Sequence, residues 1–180
     1  RYCNSARSTA TANSSRSSAA AGSGAATTIK ASKIVRKAVN MAEAAAFADV
    51  LALAVPGGVV KATVAALGDV RGKIIIDATN LFKLEAGDAP SIAEEIAKRA
   101  TGAHVVKAFN TMGWEALRDP LFSGLPVTAF ICGDDAEAKA TVMKLAAEIG
   151  VNPMDVGPLA NAVAVEGLTK MWMYMMQNGA

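Results

Sequence analysis

The stretch Val106-Lys107-Ala108-Phe109-Asn110-Thr111-Met112-Gly113 decides the fold, because an apolar strand opens here into a polar loop just ahead of a helical segment. Four other segments follow the same plan, at residues 53–56, 76–80, 131–135 and 156–161. Strands that alternate with helices form β-α-β units and a parallel sheet. We therefore predict an α/β fold in which a Rossmann-like parallel sheet is flanked by helices, with five strands from residue 50 onward.

Caps and periodicity place the individual elements. Asn40 with Glu43, and Ser91 with Glu94, are typical of helix starts. The predicted helices cover 41–47, 59–67, 92–100, 114–118, 136–149 and a long apolar segment at 159–177. The predicted strands cover 50–55, 73–76, 104–108, 127–132 and 151–156. Apolar residues on both faces of a strand indicate that it is buried in a parallel sheet.

Candidate binding residues lie where these strands end, since open parallel sheets bind ligands beyond the carboxyl ends of their strands. Asn80 is predicted either to hydrogen-bond a ribose or carboxamide or to act as a turn residue. Asn110 and Thr111 are predicted to contact a ligand or to cap the next helix. Lys107 is a charged residue in a buried strand, so it requires a carboxylate such as Asp77 or Asp134, or an anionic ligand.

Composition excludes several classes of protein. The chain has 180 residues, is 52% hydrophobic and 19% charged, and has a formal net charge of +2. All 16 acidic residues lie at or after Glu43, so residues 43–180 carry 11 basic and 16 acidic residues, a net charge of −5. This charge argues against a nucleic-acid-binding domain. One histidine and two distant cysteines argue against a zinc site and favour a reducing compartment. The most apolar segment, 156–176, is interrupted by Glu166 and Lys170, which argues against a membrane span.

Residues 1–33 are rich in Ser, Ala, Thr and Arg and contain no acidic residue. We treat them as a segment separate from a domain at 34–180. Two interpretations remain open: an organellar transit or linker segment, or a degenerate first β-α-β unit. The chain starts without Met, which favours a processed protein or a fragment, and it is expected in the cytoplasm or, with a transit peptide, in a plastid or mitochondrion. Gly22-Ser23-Gly24 follows no apolar strand, so it is weak evidence of a phosphate-binding turn.

From Ala42 onward the chain resembles the coenzyme F420-dependent NADP oxidoreductase family. Six segments carry the resemblance, in order and at similar spacing: Ala-Asp-Val-Leu-Ala-Leu-Ala-Val-Pro (48–56), Gly-Lys-Ile-Ile-Ile-Asp-Ala-Thr-Asn (72–80), Ser-Ile-Ala-Glu-Glu-Ile-Ala (91–97), Val-Val-Lys-Ala-Phe-Asn-Thr-Met-Gly (105–113), Cys-Gly-Asp-Asp (132–135) and Asp-Val-Gly-Pro-Leu-Ala-Asn (155–161). The family opens with a glycine-rich turn that is not recognisable here. The first nucleotide-binding half is therefore expected to be incomplete.

The resemblance implies an enzyme that transfers hydride between NADP and a deazaflavin (coenzyme F420) or flavin-like acceptor. It implies that Val55 and Pro56 border the nicotinamide half of NADP, and that the loop containing Phe109 faces both cofactors. Ser15 and Arg16 would match a turn near the adenosine 2′-phosphate. The cofactor-binding residues expected in total are Ser15, Arg16, Val55, Pro56, Asn80, Lys107, Phe109, Asn110 and Thr111.

Two other functions remain as alternatives. The chain could be a non-catalytic Rossmann remnant that serves as a dimerisation or scaffold module. It could also be an imine reductase of the pyrroline-carboxylate type, which the match around residues 107–110 disfavours. The apolar cluster at residues 171–176 predicts a buried helix. That helix would be part of the core, the contact of a homodimer, or a lid over a flat cofactor.

Overall fold

A computed structural model describes residues 40–81, 83, 85 and 87–179, together with the backbone of Thr27–Thr28. The predictions made for the remainder of residues 1–39, including Ser15 and Arg16, lie outside the described residues.

The predicted Rossmann-like α/β fold is confirmed. Among the described residues, six strands form one sheet in the order β1-β2-β3-β4-β7-β8. They are β1 (Thr27–Thr28), β2 (Val50–Leu53), β3 (Ile74–Asp77), β4 (His104–Lys107), β7 (Thr128–Gly133) and β8 (Asn152–Asp155), while β5 (Leu121–Phe122) and β6 (Leu125–Pro126) form a separate hairpin. Strands β2, β3 and β4 are parallel, and β1 runs antiparallel to β2.

The described part of the chain contains six α-helices. They are α1 (Met41–Phe47), α2 (Val60–Ala66), α3 (Ile92–Arg99), α4 (Trp114–Arg118), α5 (Ala136–Glu148) and α6 (Ala162–Gln177), and short 3-10 turns precede α2 and α6. The predicted caps are present. The Asn40 side chain accepts from the Glu43 amide at 2.9 Å. Ser91 accepts from the Glu94 amide at 3.2 Å, and its hydroxyl donates to the Glu94 carboxylate at 2.7 Å.

The prediction that all strands are parallel is wrong at β7. This strand pairs antiparallel with β4, and β8 runs parallel to β7. Between β4 and β7 the only helix among the described residues is α4, with five residues. A helix of that length rises only about 7–8 Å, whereas a four-residue strand spans roughly 13 Å. Such a helix is too short to return the chain along a strand by itself, and the rest of the connection consists of loops and the β5–β6 hairpin rather than a crossover helix.

The β5–β6 hairpin, which lies between α4 and β7, was not predicted from the sequence. Its two-residue turn, Ser123-Gly124, has positive φ at both positions (52° and 80°). Such turns match the twist of two short antiparallel strands. The sequence feature that indicates this hairpin is the Ser-Gly pair between two short apolar runs.

The core lies on both faces of the sheet. On one face, Leu51, Leu53, Ile75 and Val105 pack against α1, α2, α3 and the start of α6. On the other face, Ile76, Val106, Ala129 and Ile131 pack against α5. The alternation of strand residues between the two clusters is the two-residue period of a strand buried on both faces.

Helix α6 departs from the prediction of a buried helix. Its buried residues are Ala162, Val165, Glu166 and Thr169, all in its first half. Beyond Thr169, Met171 is 60% exposed and Tyr174 is 68% exposed. Within the described part of the chain, no helix is long and apolar enough to cross a membrane.

Cys132 on β7 is fully buried, and this burial raises the pKa of its thiol from 9.0 to about 11. Since the thiolate is the reactive form, we predict that Cys132 in a Cys3→Ser variant reacts with a disulfide reagent at pH 8 only on unfolding. Because the native state holds this proton more tightly than the unfolded chain, the contribution of Cys132 to stability is fully present below pH 9. It is lost as the pH rises toward 11. Labelling of the Cys132 thiol with and without urea measures its reactivity in the folded and unfolded states. Fast labelling without urea would contradict the prediction that the folded state protects this thiol.

Candidate functional site

A cavity of about 790 Å³ opens at the carboxyl ends of β2, β3 and β4. Each strand contributes the residues that follow its end, and the antiparallel β7 and the helix α6 supply the other walls. The lining consists of Ala54, Val55, Pro56, Gly57, Ala78, Thr79, Asn80, Asn110, Thr111, Met112, Gly113, Thr128, Phe130, Leu168, Thr169, Trp172 and Met173. Its volume lies in the range of small-molecule and cofactor sites.

The loops after β2 and β3 approach each other closely at Gly57. A Cβ atom at this position would lie 2.3 Å from the carbonyl oxygen of Asn80, which is far inside van der Waals contact. Glycine is the residue that permits such an approach of two backbones. Gly57 therefore fixes the distance between two walls of the cavity.

The polar part of the cavity is a small amide network. The Asn80 side chain donates to the carbonyl oxygen of Asn110 at 2.9 Å, and the Asn110 side chain donates to Asn80 Oδ1 at 3.1 Å. Thr169 on α6 donates to the same Asn110 carbonyl at 3.2 Å. The network joins the loops after β3 and β4 to helix α6. It leaves both asparagines in single, fixed orientations.

One acceptor of this network has no partner. Asn110 is buried, and its Oδ1 atom makes no hydrogen bond within the protein. A buried polar atom left in this state costs about 1–3 kcal/mol. The preceding residue, Phe109, has a φ of 65°, a strained value for a residue with an aromatic side chain. Unmet acceptors and backbone strain cluster at binding sites, where they form part of a preorganised surface.

Below the cavity floor lies a buried ion-pair network centred on Lys107. Its ammonium group donates to Asp77 Oδ2 at 2.8 Å, to the Thr79 carbonyl at 2.7 Å and to Glu166 Oε1 at 3.0 Å. Lys107 and Asp77 are direct partners in the β3–β4 register. Both side chains are fully buried, and that of Glu166 is 3% exposed. All three donors of the ammonium group are therefore satisfied.

The two carboxylates of this network also bind backbone. Glu166 accepts from the amides of Ile92 and Ala93 at 3.2 and 3.3 Å, at the start of α3, where the helix dipole favours a negative charge. Asp77 accepts from the amide and the hydroxyl of Thr79, which shapes the loop after β3. The network thus connects two strands and two helices directly beneath the candidate site.

The structure brings together five of the residues predicted to bind cofactor. Val55, Pro56, Asn80, Asn110 and Thr111 all line the cavity. Two others do not line it. Lys107 is held in the ion-pair network, where it pairs with Asp77, one of the two carboxylates predicted as its partner. The other predicted carboxylate, Asp134, accepts a hydrogen bond from the Leu159 amide at 2.8 Å. Phe109 packs against the core on the α5 side of the sheet.

Sequence reasoning missed the wall supplied by β7, whereas a lid over a flat cofactor was one of its three alternatives for α6. Thr128 and Phe130 line the cavity because the antiparallel β7 starts beyond the carboxyl end of β4. A strand start is the wrong end in a parallel sheet, so no sequence signal pointed to these residues. Leu168, Thr169, Trp172 and Met173 belong to α6. Trp172 and Met173 lie in the 171–176 cluster for which the lid was predicted, whereas Leu168 and Thr169 were not predicted.

The lining contains no Lys, Arg, Asp, Glu or His among the described residues. Its polar groups are amides and hydroxyls, and its other walls are apolar or aromatic. Such a cavity suits an uncharged, flat ring system that carries hydrogen-bonding groups. It does not suit a phosphate, which requires cationic side chains or clustered backbone amides.

Fold and site together define a Rossmann-like protein with a ligand cavity at the carboxyl edge of its sheet. The model of the family described as NADP oxidoreductase, coenzyme F420-dependent, matches residues 6–81. The resemblance predicted from the sequence is thereby confirmed.

Individual relatives show the same resemblance. The F420-dependent NADP reductase of Methanocaldococcus jannaschii is 29% identical over 140 residues, covering 72% of this chain and 62% of that protein. The metalloreductase STEAP3 of Rattus norvegicus is 38% identical over 99 residues, covering 54% of this chain and 20% of that protein. The chain therefore spans between one fifth and about three fifths of the length of these two relatives.

Solved structures show the same fold. A crystal structure of a putative F420-dependent NADP-reductase from Arthrobacter sp. FB24 superposes with a TM-score of 0.69 at 29% identity, covering 77% of this chain and 68% of that one. An imine reductase from Aspergillus terreus superposes with a TM-score of 0.59 at 21% identity, covering 79% and 47%. At that identity the second likeness concerns the fold alone. The expectation that NADP is the cofactor is supported by the family and by the F420-dependent NADP reductases.

We predict that Lys107→Met destabilises the protein by about 3–5 kcal/mol, because it leaves the buried carboxylates of Asp77 and Glu166 without a counter-charge. The matched control is Lys144→Met on the exposed face of α5, which should change stability by less than about 0.5 kcal/mol. Urea denaturation of both variants measures the difference. Equal stabilities would contradict the role assigned to the network.

We predict that Gly57→Ala separates the loops after β2 and β3, because the added methyl group meets the Asn80 carbonyl. Gly58→Ala is the control, since a Cβ atom there meets nothing within 4 Å. Any ligand of the cavity should bind at least about tenfold more weakly to Gly57→Ala than to the control, the effect of losing about 1.4 kcal/mol of contacts. Isothermal titration calorimetry measures the affinity of each variant for the ligand. Equal affinities would show that the contact between the loops after β2 and β3 does not shape the site.

Proposed function

We propose that this protein is an NADP-dependent oxidoreductase that transfers hydride to or from a deazaflavin or flavin-like acceptor. The observation that carries the proposal is the uncharged, partly aromatic cavity at the carboxyl ends of three parallel strands, in a chain that matches the coenzyme F420-dependent family. Ligands of open α/β sheets bind at this edge.

The cavity fits the nicotinamide end of NADP. A nicotinamide carries a carboxamide that both donates and accepts hydrogen bonds, and the lining residues Asn80, Asn110 and Thr111 carry amide and hydroxyl groups of the matching kind. The network with Asn80 and Thr169 holds the Asn110 side chain in place, so little entropy is lost when a ligand binds. Val55 and Pro56 form the apolar wall on the side of β2.

The absence of titratable side chains from the described lining is consistent with this chemistry. When bound, NADP supplies the hydride, and the protein supplies position and a dry environment. Phe130, Trp172 and Met173 provide flat or adaptable apolar surfaces on the walls supplied by β7 and α6. We propose that the reacting ring of the acceptor, coenzyme F420 or a flavin, lies against these residues.

The phosphate groups of NADP need a different part of the chain. The cavity lining carries no cation among the described residues, and Ser15 and Arg16 remain the residues proposed for the adenosine 2′-phosphate. The family model matches from residue 6, so its match includes both positions. This favours the interpretation of residues 1–33 as a divergent first β-α-β unit over a transit segment.

A non-catalytic scaffold is the second candidate. The observation that favours it is the edge of β2, where the described neighbour is Thr27–Thr28 in an antiparallel pair rather than a parallel strand with a glycine-rich turn. The imine reductase alternative remains an untested prediction. The homodimer expected through α6 is also part of our proposal, because the apolar residues of that helix lie exposed.

The decisive experiment is a titration of the purified chain with NADPH and, separately, with NADH, followed by nicotinamide fluorescence. We expect saturable NADPH binding at micromolar concentrations, the usual range of enzyme substrates. Arg16→Ala should weaken NADPH binding and leave NADH binding unchanged. A folded chain that binds neither nucleotide would favour the scaffold.

A second pair of variants tests the position of the cavity. Thr111 lines it, whereas Thr141 lies on the exposed surface of α5. We predict that Thr111→Ala weakens NADPH binding and that Thr141→Ala does not. Turnover of a deazaflavin with NADPH, followed by the loss of deazaflavin absorbance, should fall in the first variant alone. Equal effects of the two substitutions on NADPH binding would show that the cofactor does not bind in this cavity.

A further inference from the structure

The buried ion-pair network beneath the cavity carries more negative than positive charge. Lys107 contributes one positive charge, whereas Asp77 and Glu166 contribute one negative charge each. The side chains of the two acidic residues are 0% and 3% exposed, so water has almost no access to either carboxylate. An unbalanced buried charge costs stability, and it creates a lasting electrostatic field in its surroundings.

The hydrogen bonds around the two carboxylates require both groups to be ionised. Asp77 accepts from the amide and the hydroxyl of Thr79 at 2.9 and 2.7 Å, and from Lys107 at 2.8 Å. Glu166 accepts from Lys107 at 3.0 Å and from two amides at the start of α3 at 3.2 and 3.3 Å. A protonated carboxyl group needs an acceptor for its own O–H, but each of these partners donates. The network therefore carries a net charge of −1.

Thr79 connects this charge to the cavity. Its carbonyl oxygen accepts from Lys107 at 2.7 Å, its amide and hydroxyl bind Asp77, and the residue itself lines the cavity. Glu166 lies three residues before Thr169, another lining residue, so the two side chains share one side of α6. No lining residue among the described ones is cationic. A single residue therefore separates the excess charge from the cavity, and no counter-charge in the lining offsets it.

The two redox forms of NADP differ in the charge of the ring that we propose for this cavity. The nicotinamide ring carries one positive charge when it is oxidised and none when it is reduced, whereas the phosphates and the adenosine are the same in both forms. A nearby negative charge therefore stabilises the oxidised form relative to the reduced form. At a separation of about 10 Å and an effective dielectric constant of about 20, two unit charges change an equilibrium constant about tenfold.

We infer that the excess carboxylate of this network, with Glu166 as its main contributor, shifts the affinity of the cavity toward oxidised nicotinamide. The inference rests on the proposed function. When NADPH gives up hydride, a ring C–H bond breaks, both electrons of the bond pass with the hydrogen to the acceptor, and the ring gains the positive charge that the carboxylate stabilises. The acceptor then takes up a proton from solvent. A tenfold shift lowers the two-electron reduction potential of the bound nucleotide by about 30 mV, which favours transfer from NADPH to the acceptor.

Calorimetric titrations of the full chain with NADP⁺ and, separately, with NADPH test the inference. Glu166→Gln removes the charge and keeps the size of the side chain, so we expect it to raise the ratio of the Kd for NADP⁺ to the Kd for NADPH about tenfold. If Glu166 served only to hold α6 in place, both dissociation constants would rise together and their ratio would stay the same. An unchanged ratio in a folded variant overturns the inference.

Glu95→Gln is the matched control. Glu95 is also a buried glutamate, 1% exposed, which accepts from a backbone amide, that of Ala89, and from a cation, Arg99, but it does not line the cavity or join the Lys107 network. The substitution makes the same chemical change and the same change in the net charge of the protein. We expect it to leave the ratio of the two dissociation constants unchanged. An equal rise in both variants would show that overall charge sets the preference, and it would overturn the inference.

Asp77→Asn removes the other carboxylate charge and replaces Glu166→Gln in the experiment if urea denaturation shows that Glu166→Gln does not fold. We expect the ratio to change in the same direction, because either substitution brings the net charge of the network to zero. A wild-type chain that binds both nucleotides, with the same ratio in the variants, would overturn this inference and leave the proposed function standing. A folded wild-type chain that binds neither nucleotide would contradict the proposed function and, with it, the inference.

Discussion

The interaction on which the site depends is the contact of Lys107 with Asp77 and Glu166. A lysine in the centre of a sheet is costly unless each of its donors is satisfied, and here two carboxylates and a backbone carbonyl satisfy all three. Because Glu166 belongs to α6 and also binds the start of α3, the same contact fixes both helices against the strands. The ion pair therefore determines the position of the cavity wall that α6 supplies.

The cavity above this network is held by hydrogen bonds and shaped by one close backbone contact. The Asn80–Asn110 pair joins the loops after β3 and β4, and Gly57 lets the loop after β2 approach them. These restraints come from neighbouring parallel strands, whose ends meet at the same edge of the sheet. A preorganised, uncharged surface of this kind binds a ring system at low entropic cost and without titrating groups.

Helix α6 shows how one element serves two environments. Its first half is anchored by Glu166 and by buried Ala162 and Val165, whereas its second half presents methionine and aromatic side chains to solvent. Ala162 and Val165 belong to the core cluster that includes Ile92 and Ile96 of α3, whereas Met171 and Tyr174 are exposed.

The sequence by itself determined the order and type of nearly every helix and strand from Asn40 onward, because caps, periodicity and buried apolar runs are local properties. It also determined five residues of the cavity, since the ends of parallel strands share one edge. Only the tertiary structure decided the direction of β7, the contribution of Thr128 and Phe130, and the exposure of Met171. These depend on how far a connection reaches and on which surfaces meet, and no local pattern encodes either. Lys107 lies between the two cases: its sequence context required a partner, but only the packing of α6 supplied Glu166 as the second carboxylate.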